Sequence, residues 1–369
     1  MSRLQKAALF GLLIGIVGIW FSFFPVAHDL EEDIGLGLLF KLRGPAKAPA
    51  EVVVISMDRE SSEHLNLSQN PDRWPRSLHA ALIDNLVRHG AQVIVFDVYF
   101  LEPRSAADDD SLAQAIKRAR NVVLAEPIRR EEVPSSDAAG SSVGHVIVKP
   151  LKTMELISQA AFATAPFVLP RFPIRINQYW TFQTSAGDWP TFPVVTFQLY
   201  TLPVYDQFVA LLTKVSPPEA ERLSQVGTAI TARGVARFMR NIRQIFESDP
   251  TLTEKMITEL ERSNLAARDP NQYRWLKSLI MMYGSENQRY LNYYGPPRAI
   301  TTLPFYQALR LGENSSSRKS MDLKGKAVFV GFSEILLAER QDSFHTVFSQ
   351  ANGVFVSGVE IGATAFVTR

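Results

Sequence analysis

The chain has 369 residues, with 39 Lys and Arg against 37 Asp and Glu, and a formal net charge of +2. A balance so near neutrality, without a long basic stripe, argues against a nucleic-acid partner. The absence of cysteine excludes a disulfide framework, thiolate metal sites and a thiol nucleophile.

Residues 7–27 carry no charged side chain; Arg3 and Lys6 precede them, and Asp29, Glu31, Glu32 and Asp33 follow. An uncharged run of this length predicts a helix able to cross a hydrocarbon core of roughly 30 Å. The positive-inside bias puts residues 1–6 in the cytoplasm and residues 28–369 on the far side of an inner membrane. An uncleaved anchor is expected, because the run exceeds a signal-peptide core and no A-x-A-like site precedes His28. Gly11, Gly15 and Gly18 bring small residues to one helix face, the pattern that lets two membrane helices pack closely. Lipid around 7–27 and a second copy of the chain are therefore the expected partners, beside a small ligand or an envelope protein. In the membrane-proximal segment 28–50, Leu36–Leu42 predicts a short helix stopped at Gly44, and Pro45 and Pro49 predict an extended linker.

The domain proper, 51–369, opens with Val52–Met57, a largely β-branched run that predicts a strand buried on both faces. Trp74-Pro75-Arg76 leads to Ser77, the expected N-cap of a helix whose apolar face is Leu78, Leu82 and Leu86. A second strand, Val93–Phe96, ends at Asp97. A helix from Asp108-Asp109-Asp110 to Arg120 and a third strand, Asn121–Ala125, follow. This alternation predicts right-handed crossovers in a parallel sheet. Residues 130–145, rich in Ser, Ala and Gly, predict an exposed loop. Residues 166–200 predict short antiparallel strands added to the sheet. Helical pattern runs from 204 to 289, where Val235, Phe238, Met239, Ile242, Ile245 and Phe246 repeat at helical spacing. Arg237, Arg240 and Arg243 fall between them as an expected solvated face. Tyr290–Tyr294 is strand-like and ends at Gly295-Pro296-Pro297. Another buried strand is expected at Ala327–Gly331. The fold class is α/β: a mostly parallel or mixed sheet flanked by helices, with an all-helical insertion and one N-terminal transmembrane helix.

Several stretches taken in order resemble the type-two CHASE domain (cyclases/histidine-kinases-associated sensory extracellular). They are "VVVISMD" ending at Asp58, "WPRSLHAALIDNLVRHGA" at 74–91 and "VIVFDVYFLEP" at 93–103. "DDSLAQAIKRARNVVLA" at 109–125, "YLNYYGPPRAI" at 290–300, "LKGKAVFVGFS" at 323–333, Asp342–Thr346 and "SGVEIGATA" at 357–365 complete the set. The resemblance implies an extracytoplasmic sensor joined to a cytoplasmic effector, most closely a nucleotide cyclase, through further membrane helices. The chain shows neither before Arg369. It also departs from the family pattern at Gly331-Phe332-Ser333-Glu334, where Gly-Ala-Thr-Ala is more usual. At Ser357 and Gly362-Ala363-Thr364 the usual form is Pro-Gly-Val-Glu-Ile-His-Ala-Asn.

Open parallel sheets bind ligands at the carboxyl ends of their strands. Asp58 and Asp97 follow such strands, and Arg59, Trp74, Arg76 and Glu102 lie nearby in sequence. These six residues are the candidate ligand site. The plainer reading of the same residues is that loop carboxylates cap helices or pair with arginines. Asp108, Asp109 and Asp110 fit a helix N-terminus better than a hard-cation site. No histidine pair has zinc spacing, and no cofactor or metal is expected. Without a nucleophile elbow, a phosphate loop or a kinase signature, this chain is not expected to be an enzyme. The competing readings are an extracytoplasmic enzyme using Asp58 and Asp97, and a passive envelope interaction module.

Overall fold

A computed structural model describes residues 10–16, 18, 20, 35–136, 142–169, 175–184, 187–227, 234–312, 321–334, 343–349 and 355–368. Residues 10–16, 18 and 20 are helical, and the rest of the predicted span 7–27 lies outside the described residues. Among the described residues no helix is long and apolar enough to cross a membrane.

Helix α1 (Gly37–Arg43) precedes β1 (Val52–Met57), α2 (Arg59–His64), α3 (Arg76–Arg88), β2 (Val93–Asp97), α4 (Ala106–Ala119) and β3 (Val122–Glu126). A hairpin of β4 (Ile128–Ser136) and β5 (Ser142–Pro150) leads to α5 (Glu155–Ala160) and β6 (Ala163–Pro166). Short strands β7 (Gln178–Trp180), β8 (Phe182–Gln183) and β9 (Trp189–Pro190) precede α6 (Phe192–Tyr200). The insertion holds α7 (Tyr205–Val215), α8 (Pro217–Gly227), α9 (Val235–Ser248), α10 (Leu252–Arg262), α11 (Leu265–Arg268) and α12 (Pro270–Gly284). Then come β10 (Gln288–Tyr290), β11 (Thr302–Pro304), α13 (Phe305–Leu309), β12 (Ala327–Phe332), β13 (Ser343–Phe344), β14 (Val356–Ser357) and α14 (Gly358–Val367).

Six strands form one parallel sheet in the order β11-β1-β12-β2-β3-β6. Strand β12, the last of these six in the sequence, slots between β1 and β2, so the crossover from β1 to β2 spans a gap that a much later stretch of chain fills. Both faces are covered, as continuous apolar strands require. One face packs Leu82, Ile83 and Leu86 of α3, Leu112 and Ile116 of α4, Ile157 of α5 and Phe305 of α13. The other packs α6 and α14, with the insertion helices behind them in the same core. Successive residues of a strand point to opposite faces. Val93 and Val95 accordingly meet the α6/α14 layer, while Ile94 and Phe96 meet α3 and α4.

Four expectations are corrected. Residues 130–145 are not an irregular loop: β4 and β5 pair antiparallel from Ile128↔Pro150 to Ser136↔Ser142, and 137–141 lie outside the described residues. The small-residue composition of this stretch carries no strand alternation to read. The short strands of 166–200 do not join the main sheet: β7 pairs with β10 and β8 with β9. Residues 192–200 are helical, because α6 is buried along its whole length against the sheet and packing overrides its β-branched propensity. Helix α3 starts at Arg76 with Pro75 before it, which places Ser77 inside the first turn rather than at the cap.

Candidate functional site

The carboxyl edge of the sheet gathers carboxylates from several elements. Asp58 follows β1 and caps α2, accepting the Ser61 N–H at 2.9 Å. Its other oxygen accepts the Ser56 hydroxyl at 2.6 Å and Arg298 Nη2 at 3.3 Å. These donors satisfy a group that would be costly to bury unpaired. Arg298 also donates its backbone N–H to Glu360 Oε2 at 2.9 Å, and the Ser333 hydroxyl donates to Glu360 Oε1 at 2.9 Å. Glu360 is buried in the first turn of α14, and burial raises its pKa above the ordinary carboxylate range against the pull of those donors.

Asp97 lies at the end of β2 in register with Gly331, with β12 between it and β1. Two strand spacings separate its backbone from that of β1, about 10 Å. Its carboxylate has no hydrogen bond or ion pair among the described residues, and burial pushes its pKa up to about 6. Gly331 leaves room for the helix above it: a Cβ there would stand 2.8 Å from Val359 Cβ and 3.1 Å from Asp97 Cβ.

The other expected site residues divide. Arg59 donates its N–H to Glu334 Oε2 at 2.9 Å and pairs with Glu63 in solvent, so it borders the Asp58 network. Trp74, Arg76 and Glu102 belong to a separate buried clasp between two loops. Arg76 pairs with Asp109 and donates through Nη2 to the Glu102 carbonyl at 2.6 Å. Glu102 contributes that carbonyl, while its side chain is exposed. Arg104 donates its N–H to Asp109 Oδ2 at 2.9 Å and its Nη1 to the Trp74 carbonyl at 2.8 Å. Trp74 is buried edge-on against Phe305, with its indole N–H on the Ser68 carbonyl at 2.7 Å. Asp108 and Asp109 sit in the first turn of α4, capped by Ser105, as a helix N-terminus requires.

Sequence reasoning missed Glu126, Arg298 and Glu360. Glu126 ends β3 just as Asp97 ends β2, and burial raises its pKa too. That repeat was readable. Arg298 and Glu360 gave no local signal, since their partners lie far away in the chain. Arg243 is not solvated: it is buried, donating to the Tyr283 and Ser285 carbonyls at 2.6 Å each and pairing with Glu247. Gly11, Gly15 and Gly18 have no heavy atom within 4 Å of where a Cβ would stand.

The model of the CHASE2 domain family matches residues 11–368, the insertion and both ends of the fold included. The chain belongs to the CHASE2 domain family. No curated protein and no solved structure gave a match. CHASE2 domains are extracellular sensory domains and are not catalytic themselves. In this CHASE2 domain the carboxyl edge is a polar network tied to α14, with Asp58 fully engaged and Asp97 without a hydrogen bond or ion pair among the described residues.

Proposed function

We propose that this CHASE2 domain is the extracytoplasmic sensor of a transmembrane signalling protein, passing its state to a cytoplasmic nucleotide cyclase. The observation that supports the reading is a strap, residues 291–295, shared by both ends of the fold. From the N-terminal side, Arg43 donates through Nη1 to Asn292 Oδ1 at 2.7 Å and through Nη2 to the Tyr293 carbonyl. Phe40 packs edge-on against Tyr293, and the Ala46 N–H donates to the Tyr294 carbonyl at 2.7 Å. From the C-terminal side, the Asn292 N–H donates to Thr368 Oγ1 at 3.1 Å and the Tyr294 hydroxyl to the Val367 carbonyl at 3.4 Å.

The strap continues into Arg298 and so into the Asp58–Glu360 network. A ligand or partner at the carboxyl edge, near Asp58, Arg59 and Asp97, acts on the segments that lead to the membrane through this one piece of chain. It does so only by binding two arrangements of the edge unequally. The enzyme reading gains nothing from the geometry, because Asp58 is already committed to Ser56, Ser61 and Arg298 and stands two strands from Asp97.

The reading frame beyond residue 369 and the output of the full receptor test this function. Membrane helices and then a cyclase domain are expected, with Asn292→Ala altering basal or stimulated cyclase activity in membrane vesicles. A frame that encodes no effector, or wild-type regulation by Asn292→Ala at wild-type abundance, contradicts the proposal.

A further inference from the structure

We propose that α1 lies in the plane of the membrane interface, with Leu38, Leu39 and Leu42 seated at the headgroup–acyl boundary of the bilayer. The inference rests on reading residues 7–27 as a membrane span.

Helix α1 has two faces. Phe40 and Gly37 are buried against the domain, where Phe40 meets Tyr293 and Phe348 edge-on at 6.3 and 6.0 Å between ring centroids. Leu38, Leu39 and Leu42 occupy an arc of roughly 100° on the opposite side. They are 54%, 64% and 75% exposed. Among the described residues, every large apolar side chain more than half exposed precedes Arg43: these three leucines and residues within 7–27. After Arg43 the domain covers its large apolar side chains much better, and Tyr99 and Tyr290 reach only 47%. In the chain, this exposed apolar surface is parted from the predicted span only by the short acidic segment that carries Asp29, Glu31, Glu32 and Asp33.

Reach and charge name the same occupant. About ten residues separate Ala27 from Gly37. Fully extended they reach no more than about 35 Å, so α1 cannot stand far from the membrane surface. Lys41 and Arg43 flank the leucine arc on its two sides. Arg43 is held by the strap, and the exposed Lys41 can place its ammonium among lipid phosphates while its stem lies on apolar surface. Apolar residues on one side with cations at the borders are the pattern of a helix that sinks about 5–10 Å into the interface. A second copy is a poorer occupant, since three leucines supply far less than the roughly 800 Å² per partner of a stable protein interface. The consequence is mechanical: α1 touches lipid on one face and the strap on the other.

The absence of cysteine makes the test direct, because single cysteines can be labelled in the full chain. Leu39→Cys, Leu42→Cys, Leu13→Cys and Glu254→Cys are each labelled with bimane in nanodiscs of phosphatidylcholine and phosphatidylglycerol. Quenching is read with shallow nitroxide lipids, deep nitroxide lipids and aqueous iodide. The expected result is several-fold stronger quenching by shallow nitroxide at 39 and 42 than at the solvent-exposed position 254, with weak iodide quenching. Position 13 should respond to deep nitroxide. If 13 is deep while 39 and 42 behave like 254, α1 is not interfacial and the span reading stands. If 13 itself is open to iodide, the span reading falls and this proposal with it. Protection of 39 from all three quenchers, with disulfide cross-linking of unlabelled Leu39→Cys between copies, shows a protein partner and also overturns the proposal.

Discussion

Arg298 and Glu360 are bound to each other although 62 residues part them in the chain: the Arg298 N–H donates to Glu360 Oε2 at 2.9 Å, while its guanidinium reaches Asp58. Arg298 adopts the left-handed backbone region, φ +65°, which costs a non-glycine residue about 1 kcal/mol. Such a conformation persists where surrounding contacts over-determine it. Here those contacts join the first strand, the strap and the last helix.

The first prediction concerns Glu360. Glu360→Ala strands the Arg298 N–H and the Ser333 hydroxyl in a buried place and should cost about 2–3 kcal/mol. Glu360→Gln keeps an acceptor and removes a buried charge, so it should stay within about 1 kcal/mol of wild type. Urea unfolding in detergent distinguishes the two, and equal losses would refute this account of the network.

The second prediction is a pair of opposed pH effects. Burial holds Asp97 at about 6 instead of 3.8, so the native state keeps its proton more tightly than the unfolded chain. Its charge lowers stability fully above about 6, and that loss is relieved as pH falls toward 3.8. Asp97→Asn should therefore be more stable at neutral pH by an order of 1–2 kcal/mol, with no advantage near pH 3.8. His79 is buried among Phe96, Phe100 and Phe305 and pushed down to about 3 from 6.5, by burial first and then by Arg104 and Arg76. Its contribution is fully present above 6.5 and is lost toward 3, at roughly 1.4 kcal/mol per pH unit. His79→Phe should flatten acid unfolding while Asp97→Asn steepens it; melting curves from pH 4 to 7.5 read both slopes.

The third prediction uses the clasp between the two loops. The Arg76–Asp109 pair is buried, so Asp109→Ala leaves an unpaired guanidinium and should cost about 3–5 kcal/mol. Arg76→Met together with Asp109→Leu should cost less than the two single losses added together, since neither charge remains and only the Arg104 N–H and the Glu102 carbonyl lose partners. Denaturant midpoints for the single and double variants settle which holds.

Much of the α/β core was legible because β1, β2, β3 and β12 are short apolar runs with Asp, Glu or Gly at or beside their carboxyl ends, a pattern that speaks locally. Asp58 and Asp97 stand out as candidates for the same reason. The insertion of β12 beside β1 was not legible, since pairing Val54 with Phe329 is a long-range fact that local pattern does not carry. Helix α6 misread as strand for a related reason: Val194, Val195 and Phe197 suit either element, and the sheet beneath decides. Glu360 was not legible either, because the Arg298 N–H that it accepts comes from a distant part of the chain.

A fourth prediction follows from the close approach at the sheet edge. Gly331→Ala drives a Cβ into Val359 and should cost about 1–3 kcal/mol by displacing α14. Gly11→Ala, with open space around it, should leave domain melting unchanged.

The central claim is that the carboxyl edge and both ends of the domain form one mechanical unit through the strap. Hydrogen exchange of wild type and Arg298→Ala in nanodiscs tests it most directly. The account predicts faster exchange in the variant at 37–43, 291–295 and 358–368 together, with the insertion helices unchanged. Faster exchange confined to the neighbours of residue 298, with 37–43 and 364–368 as slow as in wild type, would contradict it.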